Sequence, residues 1–141
     1  MPSETECLMS STNGIVFLEP LPERCPPDKV VAPTETTLWR LLRKEMYSPE
    51  DFDSQRKRLS QHKYPDECTA RSVSLMTSLA ACRAAVKSPR MAKMRFTHAV
   101  EIEYSPVYGV WHKDQPTHVN WWPYQDIQPN KLAVKVEILN G

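Results

Sequence analysis

The chain has 141 residues, 40% hydrophobic and 25% charged, and its 18 basic residues balance 17 acidic ones to a formal net charge of +1. That length suits one domain with an ordinary core, and the even charge offers no long-range field to nucleic acid or an anionic lipid surface. No window reaches the apolar length that crosses a bilayer, so neither membrane nor nucleic acid is an expected partner.

The N-terminal stretch MPSETECLMSSTNGIVFLEPLPERCPP is acidic at its start and has no basic run followed by an apolar one. It therefore does not read as a secretory signal. Cys7, Cys25, Cys68 and Cys82 are isolated from one another, with no Cys-x-x-Cys pair. The expectation is free thiols in a cytoplasmic protein, and no metal site. Pro2, Pro20, Pro22, Pro26, Pro27 and Pro33 hold nearly half of the 13 prolines. Proline cannot donate to a ladder and restricts the residue before it, which predicts an extended arm over 1–33. Only GIVFLE (14–19) is apolar enough to anchor that arm, and the domain proper spans 34–141.

TTLWRLL (36–42) is β-branched and aromatic and predicts the first strand of the domain. YSPEDFDSQRKRLSQH predicts a helix, with Ser48 as N-cap, Pro49 at the first helical position and Glu50 and Asp51 complementing the dipole. Arg56, Lys57 and Arg58 then form a solvated basic face. The run SVSLMTSLAACRAAVKSP can be one long helix. The alternation of Ser72, Val73, Ser74 and Leu75 favours a short strand instead, turning at Thr77 or Ser78 into a helix that ends before Pro89.

The remainder reads as sheet. In FTHAVEIEY, Val100 and Ile102 take one face and Glu101 and Glu103 the other. VYGVWH and HVNWW follow, with Gly109 at a bulge or turn. In KLAVKVEIL, Leu132, Val134, Val136 and Ile138 are expected to line one face. The order predicts an α+β domain with a twisted, mainly antiparallel sheet, two helices and a proline-rich N-terminal arm.

No P-loop, G-x-G-x-x-G, H-E-x-x-H or G-x-S-x-G is present, and three glycines are too few for a glycine-built phosphate cradle. The residues left to carry chemistry are Arg40, the hydroxyls of SVSLMTS, Glu101 with Glu103, and His118. A guanidinium in an apolar strand needs acceptors, either protein carboxylates or a ligand phosphate. Histidine has the pKa range for proton transfer near neutrality. Each residue also has an ordinary use: an ion pair for Arg40, helix capping for the hydroxyls, a solvent face for the glutamates, a surface hydrogen bond for His118. His62, His98 and His112 have weaker surroundings. Trp39 and Trp111 are read as core. Trp121 and Trp122 must face opposite ways in a strand, so one is expected in the core and the other half-exposed beside His118 and Asn120.

The order of an arginine strand, a hydroxyl-bearing strand leading into a helix, and Glu-x-Glu resembles the Arg–Ser-Thr-Ser–Glu-x-Glu arrangement of ADP-ribosyltransferases. The resemblance implies an NAD-handling cleft with NAD as substrate rather than a resident cofactor. In it Arg40 would hold phosphate, and Ser74 or Thr77 would orient ribose. His118 with Trp121 or Trp122 would line the base pocket, and Glu103 would support transfer or glycohydrolysis. The layout also resembles short bacterial proteins that combine an L-[YW]-R strand, an E-D-F helix, an S-[VL]-[FL] strand and a late H-x-[TN]-x-W element. The alternative is a non-enzymatic binding module of bacterial or phage origin, such as an immunity, antitoxin or accessory protein. Its partner would be another protein, held by an exposed tryptophan and Tyr124.

Overall fold

The computed structural model describes residues 15–61 and 63–140. The expectations for Pro2, Cys7, Gly14 and His62 fall outside them. The expected α+β architecture is present: a six-stranded, wholly antiparallel open sheet with a few short helices. The strands are β1 (Thr37–Leu42), β2 (Val73–Met76), β3 (His98–Glu103), β4 (Gly109–Gln115), β5 (His118–Pro123) and β6 (Ala133–Ile138), in the spatial order β4-β5-β2-β1-β3-β6. No helix among the described residues is long and apolar enough to cross a membrane.

The sheet has two tightly zipped halves and a loose seam. β1 registers with β3 along its whole length, from Thr37 opposite Glu103 to Leu42 opposite His98, and β2 registers with β5 from Val73–Trp121 to Met76–His118. Between β1 and β2 only Trp39 and Met76 are paired. Backbone carbonyls along that opening need donors from elsewhere.

Both faces are packed, as strand alternation allows. Leu38, Leu42, Val73, Leu75, Ile102 and Trp121 belong to the larger core, which Phe52 closes. Trp39 and Ala99 lie on the opposite face, under Leu79 and Cys82 of helix α3 (Leu79–Ala85) and its C-cap residue Val86. The choice of strand followed by helix over 72–88 is thus the observed one. Ser78 caps α3 by accepting from the Ala81 N–H.

The helix expected after Ser48 is interrupted. Ser48 does precede a turn with Pro49 at its start, and its N–H donates to the Asp51 carboxylate at 2.8 Å. That turn is a 3-10 helix of four residues, Pro49–Phe52, and a separate one-turn helix α1 (Gln55–Arg58) begins after Ser54, whose side chain accepts from the Lys57 N–H. Arg40 explains the break. Its guanidinium takes the carbonyls of Asp51 and Asp53, which a continuous helix would have used internally. Together with α2 (Glu67–Ala70) and α4 (Pro89–Ala92), the helices are shorter and more numerous than the two expected.

Two further expectations are corrected. Val134 and Ile138 of β6 are 59% and 51% exposed, so the 132–138 alternation does not line one face. The register slips between Glu101 and Ile102, which face Lys135 and Ala133, leaving Val134 as an extra residue that exchanges the two faces. Cys25 and Cys68 are joined in a disulfide rather than free, and among the described residues only Cys82 keeps a thiol. Isolation along the sequence says nothing about two cysteines 43 residues apart once the arm folds back.

That arm is anchored at three places. Leu18 N–H donates to Pro123 and Gln125 N–H to Val16, which sets Phe17 opposite Tyr124 at the end of β5. The disulfide ties its middle to α2. Farther on, Lys113 N–H donates to the Val31 carbonyl and Val31 N–H to Nδ1 of His112, covering part of the β4 edge.

Candidate functional site

Five of the sequence-derived site residues, Arg40, Ser74, His118, Trp121 and Trp122, sit on the adjacent strands β1, β2 and β5, and the side chains of two of these meet directly. Ser74 Oγ lies 2.5 Å from Nε2 of His118, and Nδ1 of His118 lies 2.7 Å from Oδ1 of Asp114. A carboxylate can only accept, so Nδ1 carries the proton. On a neutral ring, Nε2 is then an acceptor for the Ser74 hydroxyl. Asp114 is the residue that sequence reading missed. It stands in β4 four positions before His118, across the Pro116–Thr117 turn. In a regular hairpin, alternation alone would decide its direction. Instead the register jumps from Lys113–Val119 to Gln115–His118, and the bulged Asp114 is aimed at the imidazole.

This chain of hydrogen bonds lies on an exposed part of the sheet. Met76 is covered by α3, and Trp122 donates its indole N–H to the Cys68 carbonyl of α2 at 2.9 Å. Ser74 lies between these two covered patches, facing solvent, with His118 and Asp114 partly exposed. Beneath them Asn120 is buried, its side-chain amide against the Ser72 hydroxyl.

Arg40 reaches the same strand from the other face. Nη1 donates to the Ser74 carbonyl at 2.8 Å, and Nε and Nη2 donate to the carbonyls of Asp51 and Asp53, each at 2.9 Å. Its acceptors within the chain are therefore backbone carbonyls exposed by the β1–β2 seam and by the broken helix, rather than a carboxylate. Burial pulls the guanidinium down to about 10, which leaves it charged at neutral pH.

Thr77 ends β2 against the β4–β5 turn: its N–H donates to the Thr117 carbonyl at 3.1 Å and its hydroxyl reaches the Pro116 carbonyl at 3.4 Å. It holds that turn in place rather than facing Ser74. Glu103 lies on β3, separated from β2 by β1, and accepts from the Tyr108 hydroxyl at 3.0 Å. Glu101 accepts from Thr37 at 2.6 Å. Neither glutamate joins Ser74 and His118.

The tryptophans are also corrected. They do face opposite ways, but both are buried, Trp121 at 0% and Trp122 at 1% exposure. Trp121 stacks on Trp111 at 4.5 Å and donates to the Tyr108 carbonyl. A ring expected at the surface is buried because the sheet is packed on both faces, so neither indole is free to stack on a ligand or anchor a partner. Comparison with protein-family models, curated proteins and solved structures returns no match.

Proposed function

We propose that the exposed stretch of β2 and β5 is a group-transfer site of ADP-ribosyltransferase-like character, with NAD as substrate. The observation that carries this is the linkage of three strands through one residue: Arg40 of β1 binds the Ser74 carbonyl while the Ser74 hydroxyl binds His118 of β5. The resemblance requires an arginine strand and a hydroxyl strand to lie together, and they do. The roles differ from those the resemblance implies. Arg40 braces the hydroxyl strand. Ser74 presents its hydroxyl to a ribose. His118, held by Asp114, takes over from Glu103 as the proton-handling group. His118 Nε2 would remove the proton from an attacking water or acceptor hydroxyl. The glycosidic C–N bond would break with its electron pair passing to the pyridinium, releasing neutral nicotinamide.

The test is nicotinamide release from NAD, with thermal melting in the presence of NAD. The parent protein should release nicotinamide, and His118→Ala should be slower by about 100-fold or more, the usual weight of a general base. Absence of both release and an NAD-induced rise in melting temperature in the parent would defeat the reading.

A second reading rests on the direct Ser74–His118–Asp114 contact, the arrangement that activates a serine nucleophile for acyl transfer. It predicts covalent labelling of Ser74 by a fluorophosphonate, abolished in Ser74→Ala. Labelling without NAD turnover would select this chemistry over the first. The cytoplasmic location expected from free thiols loses one of its two grounds, because disulfides persist mainly in oxidising compartments.

A further inference from the structure

The two edges of the sheet are finished differently. Beside β4 runs the arm, with the Lys113 N–H on the Val31 carbonyl and the Val31 N–H on Nδ1 of His112. At the other edge β6 pairs with β3, and among the described residues no strand lies beyond it. The Leu139 N–H donates inward to the Thr97 carbonyl at 2.9 Å. Alternate residues of an antiparallel ladder face the neighbouring strand, so Leu139, Glu137 and Lys135 face β3. Val136 and Ile138 therefore turn their backbone N–H and C=O groups to the open edge. Arg83 of α3 reaches the Ile138 carbonyl at 3.1 Å, and that oxygen keeps a second lone pair. The apolar side chains of Val134 and Ile138 are exposed along the same strand.

An open edge of this kind is a template for another strand. The order of residues in AVKVEI (133–138) then selects which strand fits. When two copies pair antiparallel about a two-fold axis, outward-facing residues must match outward-facing ones. The registers of greatest overlap put that axis at 135, 136 or 137. An axis at 135 sets Lys135 against Lys135 of the second copy, and an axis at 137 does the same with Glu137. Like charges directly opposite are destabilising. An axis at Val136 sets Lys135 opposite Glu137 of the second copy and Val134 opposite Ile138, each pair occurring twice. Within one chain Lys135 Nζ already lies 3.6 Å from the Glu137 carboxylate, so the four charges would alternate in sign around the axis. Lys135 alone would discourage pairing at this edge. With Glu137 two residues on, it favours one register.

We propose that this chain pairs with a second copy of itself through β6, antiparallel and with Val136 on the two-fold axis, joining two six-stranded sheets into one. The two Val136 residues exchange both of their backbone hydrogen bonds across the axis. The same patch serves both copies, so the contact closes at two chains. It is independent of Ser74 and His118, whose strands β2 and β5 lie on the far side of β1 and β3.

The experiment is sedimentation velocity on the full chain across a concentration series at neutral pH, with amide hydrogen exchange followed by NMR on the same samples. The parent should pass reversibly from one chain to two, and protection of the Val136 and Ile138 amides should rise with concentration. Lys135→Glu and Glu137→Lys each turn both cross-axis pairs into like charges, and each should weaken the dimer by about tenfold or more. An equimolar mixture of the two variants should recover the parent's association, because every cross-axis pair is then opposite in sign again. Lys135 also stands opposite Glu101 of β3. Should Lys135→Glu fail to fold, Glu137→Lys, opposite Ala99, carries the test: raising salt should loosen the parent dimer and tighten that of the variant. A parent that stays monomeric throughout, an association that neither variant changes, a mixture no tighter than its components, or protection that rises only away from β6 would each overturn the proposal.

Discussion

At the scale of single residues, Arg40 and Glu19 show opposite ways of burying a charge. Arg40 is well engaged, since each of its three guanidinium nitrogens donates to a backbone carbonyl. Arg40→Ala would leave those carbonyls short of donors at the seam. It should destabilise the domain by about 3 kcal/mol or more, because each unpaired buried group costs about 1–3 kcal/mol. Urea unfolding measures this, and a loss below about 1 kcal/mol would mean that water replaces the guanidinium. Glu19 is under-engaged. Its folded pKa is raised, mainly by desolvation, so the stability it contributes is present below its unfolded pKa and lost as pH rises through the folded one. Glu19→Gln keeps an acceptor for Ser54 and removes the charge. It should melt higher than the parent near pH 7, with the difference vanishing below about pH 4, where both are neutral. A constant offset across that range would show that shape rather than charge is responsible.

At the scale of elements, two bulges and one glycine determine what the strands present. The bulge in β4 turns Asp114 onto His118, and the one in β6 turns Val134 outward. Gly109 opens β4 at φ 149°, where a Cβ would lie 2.3 Å from the Trp122 carbonyl oxygen and 2.7 Å from Trp121 Nε1. The glycine serves the close approach of β4 to the tryptophan pair. Gly109→Ala should therefore cost about 2–4 kcal/mol, combining backbone strain with overpacking. It should also disturb the environment of Trp121, read by near-ultraviolet circular dichroism. An unchanged spectrum and melting point would show that the hairpin can shift to make room.

At the scale of the whole molecule, residues 15–33 of the arm are packed against the domain. They cover the end of β5 and part of the β4 edge, and the Cys25–Cys68 bond closes a long loop. Reducing that bond, or making Cys25→Ser, should lower stability by about 2–4 kcal/mol, the usual effect of a native disulfide. Because Cys68 also supplies the acceptor for Trp122, tryptophan fluorescence should change with the same midpoint. Fluorescence that changes well before global unfolding would instead mark the arm as a separately melting unit.

Local chemistry made much of this legible in advance. The β1 strand, the strand-to-helix switch at Ser78, and the opposite faces of Val100–Ile102 and Glu101–Glu103 follow from period and capping, which neighbouring residues carry themselves. Ser74 and His118 were legible as residue types, though not as a pair. The remainder depended on contacts distant in sequence. Helix formation after Ser48 was halted by an arginine from β1, Asp114 was aimed by one extra residue in a hairpin, and Trp122 was buried by a helix and a disulfide. Each is a tertiary demand outweighing a local preference of a few tenths to about 1 kcal/mol. The sequence by itself therefore determined the kinds of element and which side chains can do chemistry. Only the folded sheet decided which of those side chains meet, because meeting depends on strand order and register.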